Sequence, residues 1–147
     1  MMIIKLTMFT FICCNFAIVY RWTVNLGKAE IDGAVRCSDQ EAVEMASYLA
    51  RKEGLFVGSS SALNVVGALK TAEFLHENCA DGNEKIIVTI ICDSGERHLT
   101  KFHNKKFLSE HALLPEEVGL DFFKNSSERV VLTHEKGMKK GMRISKS

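Results

Sequence analysis

Asp93-Ser94-Gly95-Glu96-Arg97 follows at once on Ile86 to Cys92, seven residues that are apolar except for Thr89. A run that is apolar on both faces and rich in β-branched side chains is expected to form a buried strand. A polar corner at its carboxyl end is where an open α/β sheet meets a ligand. Ser94 can give or take a hydrogen bond there without carrying charge. The same Asp-Ser-Gly triplet also serves as a turn and helix cap, so the residue types support either role. The second stretch, Gly58-Ser59-Ser60-Ser61, opens a helical pattern. Its backbone N–H groups could face an anion, or Ser59 or Ser60 could cap the helix. It is neither a P-loop nor a G-x-G-x-x-G fingerprint.

The elements around these stretches are readable from periodicity. Ser38 and Glu41 form a capping box, and Ala42, Val43, Met45, Ala46, Leu49 and Ala50 recur at helical spacing until Gly54 stops the helix. Leu55 to Gly58 is a very short apolar run. A second helix starts at the serines and places Ala62, Val65, Val66, Leu69 and Ala72 on one face. Asn78 to Glu84 breaks the chain before the expected strand, and a helical segment follows the Asp93-Ser94-Gly95 turn. A further helix is expected to end before Pro115. Helix, short strand, helix, strand, turn, helix is the order of an α/β sandwich with a mostly parallel sheet.

Composition narrows the function classes. The 147 residues are 46% hydrophobic and 25% charged, enough for an ordinary domain with a core, and the formal net charge of +1 gives no chain-wide reason to bind nucleic acid. Five cysteines, at 13, 14, 37, 79 and 92, show no C-x-x-C spacing, and read as free thiols rather than a disulfide framework or a zinc site. The five histidines, at 76, 98, 103, 111 and 134, show no metal-ligand spacing except His98 and His103, whose five-residue separation is poor for one helix face. Residues 1–22 stand apart: Met1 to Tyr20 is largely apolar with one charge, Lys5, and the uncharged stretch after it, about 15 residues diluted by Thr10 and Asn15, is shorter than the roughly 20 that span a bilayer. It lacks a small-x-small cleavage site. A membrane anchor formed by residues 2–20, a buried strand pair, or a stretch outside the folded domain all fit that pattern. Residues 125–147 form a basic tail expected to be disordered.

Taken together, "SDQEAVEMASYLARKEGLFVGSSSA" and, about thirty residues later, "IIVTIICDSGERHLT" resemble the C-terminal part of the cysteine synthase (O-acetylserine sulfhydrylase) family. These are pyridoxal-phosphate enzymes of the tryptophan synthase β-like fold, fold type II. The resemblance runs from about Thr23 to Phe102 and implies that residues 23–124 are the C-terminal portion of a partial three-layer α/β/α sandwich, the large domain of that fold. It implies a β-substitution in which O-acetylserine and sulfide give cysteine, with the hard chemistry residing in the cofactor. Ser94 matches the serine that contacts the pyridine nitrogen, and Gly58 matches the glycine of a Gly-x-Ser-Ser segment beside the cofactor ring. Cys92 stands where many relatives have proline.

Other parts of the family pattern are not found in these 147 residues. The family needs a lysine for the internal Schiff base, a Thr-Ser-Gly-Asn type loop for the substrate carboxylate and a Gly-Thr-Gly-Gly-Thr type loop for the cofactor phosphate; Lys5 and Lys28 lack the required neighbours. The resemblance therefore implies no catalytic residue and no metal ligand here, a chain that does not retain pyridoxal phosphate and is inactive alone, and strands with missing neighbours. A complementary segment or a longer relative is the expected partner, alongside the amino-acid substrate of the full-length family, in the cytoplasm or mitochondrion. A non-catalytic remnant or partner-binding pseudoenzyme is the alternative.

Overall fold

The computed structural model describes residues 33–35, 37–78, 84–116, 119–124 and 131–132. The expectations for residues 1–22 and for most of the basic tail lie outside the described residues.

Ser38 starts α1 (Asp39–Tyr48) as expected: its hydroxyl accepts from Glu41 N, and the Glu41 carboxylate accepts from Ser38 N at 2.7 Å. Two of the orphan donors of the first turn are thereby satisfied. The helix widens into a π turn over Leu49–Glu53 and ends at Gly54, whose φ of 70° places it in the left-handed region, where glycine carries no Cβ penalty. The second helix, α2 (Ser59–Asn78), also forms. Its N-terminal boundary corrects the capping expectation. Ser59 and Ser60 lie inside the helix, and it is Gly58 whose carbonyl accepts the first helical bond, from Ala62 N at 3.1 Å.

The helices α1 and α2 pack together, and the core lies between them. Ala42, Val43, Met45, Ala46 and Leu49 meet Ala62, Leu63 and Val66, with Val35, Cys37, Val57, Phe102 and Leu108 closing the sides. Val65 and Leu69, expected on the buried face of α2, are half-buried against this cluster. One ion pair is buried with it: Lys70 Nζ lies 2.6 Å from Glu41 Oε1, the two side chains only 5% and 9% exposed.

Further along, Gly95–His98 forms a short 3₁₀ turn capped by Ser94, α3 (Lys105–Glu110) is capped by Asn104 and ends before Pro115, and α4 (Asp121–Lys124) adds one turn. β1 (Gly33–Ala34) pairs antiparallel with β2 (Val131–Leu132). The strand expected over Ile86 to Cys92 is not formed. Among the described residues it has no strand partner, and Ile86, Val88, Ile90 and Ile91 stand 76%, 78%, 69% and 51% exposed. A strand needs a neighbour to take up its backbone donors and acceptors, and here side chains of α2 hold the segment instead. Asn64 donates from Nδ2 to Ile90 O at 2.9 Å, and Thr89 donates from Oγ1 to Asn64 O at 3.3 Å.

Candidate functional site

Gly58 and Ser94, separated by more than thirty residues in sequence, are brought together by backbone pairing. The short run expected at Leu55 to Gly58 appears as a single antiparallel bridge between Val57 and Ser94. On either side of it Gly58 N donates to Asp93 O at 3.0 Å and Gly95 N donates to Phe56 O at 3.1 Å. The two sequence motifs thus form one short ribbon at the N-terminal end of α2.

The glycines in this ribbon mark where its side chains close in. A Cβ on Gly58 would lie 2.1 Å from Asp93 Oδ1 and 2.7 Å from His98 Nε2; one on Gly95 would lie 2.8 Å from Phe56 Cζ and 2.9 Å from His103 Nε2. The close approach at Gly58 is therefore to the chain's own Asp93 and His98. This bears on the anion reading of the serine-rich helix start: the Asp93 carboxylate already lies against the residue that precedes α2, a position that a helix dipole favours for negative charge.

Two histidines pin the ribbon. His98 Nε2 lies 2.7 Å from Asp93 Oδ2. Since an ionised carboxylate only accepts, the ring nitrogen carries the proton of that bond. His103 Nε2 lies 2.8 Å from Val57 O, so it too must be the donor, and its ring packs on Phe56 with centroids 4.5 Å apart. Ser61, fully buried, accepts from Cys92 N at 2.9 Å and Asp93 N at 3.3 Å and donates to Asp93 O at 3.3 Å.

Ser94 itself is exposed, and its Oγ accepts from Glu96 N at 3.4 Å. The hydroxyl keeps its own proton to donate. A neutral donor on an exposed residue fits the ring-nitrogen end of a pyridine cofactor, which offers one acceptor. The start of α2 lies against the Asp93 carboxylate. Among the described residues no cluster of His, Cys, Asp and Glu could hold a metal ion, and no helix is long and apolar enough to cross a membrane.

Sequence reasoning pointed to Ser94 and Gly58. It did not single out Ser61, His98, His103 or Phe56 as parts of the site. Ser61 was one hydroxyl in a serine run, and the only available signal for His98 was its position five residues after Asp93.

No family model matches the chain. Among curated proteins, it is 45% identical over 93 residues to a cysteine synthase of Dictyostelium discoideum, a match covering 63% of this chain and 23% of the relative. It is 43% identical over 107 residues to cysteine synthase 2 of Schizosaccharomyces pombe, covering 71% of this chain and 26% of the relative. A protein of Saccharomyces cerevisiae named as a putative mitochondrial cysteine synthase is 42% identical over 94 residues, covering 64% of this chain and 22% of the relative. The chain is a homologue of the cysteine synthases. It matches only 22 to 26% of the length of these relatives.

Proposed function

We propose that this chain is the portion of a pyridoxal-phosphate-dependent, cysteine synthase-like protein that meets the pyridine nitrogen of the cofactor through Ser94. The observation that carries the reading is the Val57–Ser94 bridge, which joins the two motifs of the resemblance into one ribbon. Homology to proteins named cysteine synthase supports the reaction class, in which O-acetylserine and sulfide give cysteine. In the whole protein, residues 86–92 become a strand of a mostly parallel sheet, in a three-layer sandwich whose other strands come from elsewhere. The bound cofactor supplies the electron sink for loss of the β-substituent. The chain's own residues do less: Ser94 donates a hydrogen bond at the ring nitrogen without forcing a positive charge there, and the ribbon around Gly58 holds that hydroxyl in place. The proposed location is cytoplasmic or mitochondrial, the latter supported by the name of the yeast relative.

The 147 residues alone neither retain the cofactor nor make cysteine, because no Schiff-base lysine in its family setting and no phosphate loop are found among them. The test is complementation. The chain is mixed with the unmatched remainder of the Dictyostelium relative, and cysteine formation from O-acetylserine and sulfide is measured with visible absorbance of the cofactor. Activity is expected only in the mixture. Ser94→Ala is expected to lower it about tenfold, or ~1.4 kcal/mol in barrier. Turnover by the chain alone, or an unchanged rate for Ser94→Ala in an active mixture, would overturn the proposal. A second reading, a non-catalytic partner-binding remnant, is favoured by the exposed apolar residues Ile86, Val88, Ile90 and Ile91, and binding in the mixture without turnover would select it.

A further inference from the structure

We propose that Ser61 is a positioning residue for Ser94, acting through the Cys92–Asp93 backbone, with the Asp93–His98 pair as a second brace; the inference rests on the role proposed above for Ser94. A hydroxyl buried without partners is costly. Ser61 is 0% exposed, yet its Oγ accepts from two consecutive backbone N–H groups, Cys92 N at 2.9 Å and Asp93 N at 3.3 Å, and donates to Asp93 O at 3.3 Å. One donor and two lone pairs are the full capacity of a hydroxyl, and all of it is spent on the two residues that precede Ser94.

Ser61 lies in the first turn of the long helix α2, so the ribbon is tied to the most extended element of the fold. Gly58 N donates to the same Asp93 carbonyl at 3.0 Å. His98 Nε2 donates to Asp93 Oδ2 at 2.7 Å and closes the turn over residues 93–98. Ser94 stands between these two anchors in sequence, exposed and with its backbone bridged to Val57. An exposed serine on an unanchored loop would sample several directions. Here the preceding peptide groups and the following turn are both fixed, so the hydroxyl is preorganised for an acceptor approaching from solvent.

The test uses hydrogen exchange on the full 147-residue chain, read by mass spectrometry at residue resolution, which works on free or assembled chain and needs no cofactor. Ser61→Ala removes the hydroxyl with little change in volume. It is expected to speed exchange at Cys92, Asp93 and Glu96 about tenfold, while amides inside α2, such as that of Leu69, keep their rates. Glu96 is the diagnostic position because its N–H donates to Ser94 Oγ. His98→Phe, which keeps an aromatic ring at this position, is expected to speed Glu96 in the same sense. His98→Gln, whose side-chain amide can still donate to Asp93, is expected to restore it. Two results overturn the proposal: an unchanged rate at Glu96 in both Ser61→Ala and His98→Phe, or a uniform rise that includes Leu69, which marks Ser61 as a residue of general packing. Failure of Ser94 in the complementation assay leaves these rates untouched, so the two readings fail separately.

Discussion

Gly58 shows how a missing side chain can hold a site together. Its Cα faces Asp93 and His98 so closely that an added Cβ would meet Asp93 Oδ1 at 2.1 Å. Gly58→Ala therefore separates the Asp93–His98 pair or shifts the helix start, at a cost of about 1–3 kcal/mol. A thermal melt is expected to fall by at least about 2 °C. Gly54→Ala is the informative contrast: nothing lies within 4 Å of its Cβ position, but φ is +70°. It should cost about 1 kcal/mol through backbone strain and leave hydrogen exchange at Asp93 to His98 unchanged. Equal disturbance of residues 93–98 by both variants would refute the close-approach account. At this scale, Ser94 and Gly58 were visible in the sequence through their neighbours. The partners of Ser61 were not, because a contact across 31 or 32 residues leaves no period to read; the Asp93–His98 pair spans five residues, a spacing that belongs to neither helix nor strand periodicity.

The helices were the legible elements. The capping box at Ser38, the stop at Gly54 and the apolar spacing of α1 and α2 are local signals, and local hydrogen bonding and burial enforce them. The buried ion pair escaped because each partner has a sufficient local reading: Glu41 as the capping-box residue at the third position of the helix, Lys70 as a residue outside the apolar stripe. The one carboxylate serves both ends, with Oε2 accepting from Ser38 N at 2.7 Å and Oε1 meeting Lys70 Nζ at 2.6 Å. Lys70→Met removes the cation from a site where Glu41 stays buried, and is expected to destabilise the chain by about 3 kcal/mol in urea denaturation. Adding Glu41→Gln should recover at least ~1 kcal/mol, because glutamine is neutral and still accepts from Ser38 N. If the double variant is no more stable than Lys70→Met, the penalty comes from lost packing of the lysine stem rather than from a stranded charge.

At the scale of the whole molecule, the mismatch between sequence and structure at Ile86 to Cys92 has a physical cause. Six of its seven residues are apolar, a composition suited to a strand covered on both faces, yet Ile86, Val88, Ile90 and Ile91 are 51% to 78% exposed. Strand formation is a non-local event that needs a neighbouring strand, and among the described residues none pairs with this segment. Such a segment, uncharged from Ile86 to Cys92 and without proline, has the composition of a self-pairing strand. The isolated 147-residue chain is therefore expected to self-associate. Val88→Lys with Ile90→Lys places two charges on one face of that strand and should lower the assembled fraction at least about fivefold, by size exclusion with light scattering at matched concentration. Leu55→Lys with Leu99→Lys is the matched control: these residues are also exposed, at 50% and 55%, but lie outside the segment. If the control pair dissolves the assemblies and the strand pair does not, association runs through another surface. If the strand pair alone dissolves them, the same substitutions should also weaken binding to the complementary part of a relative, since both events use one strand edge.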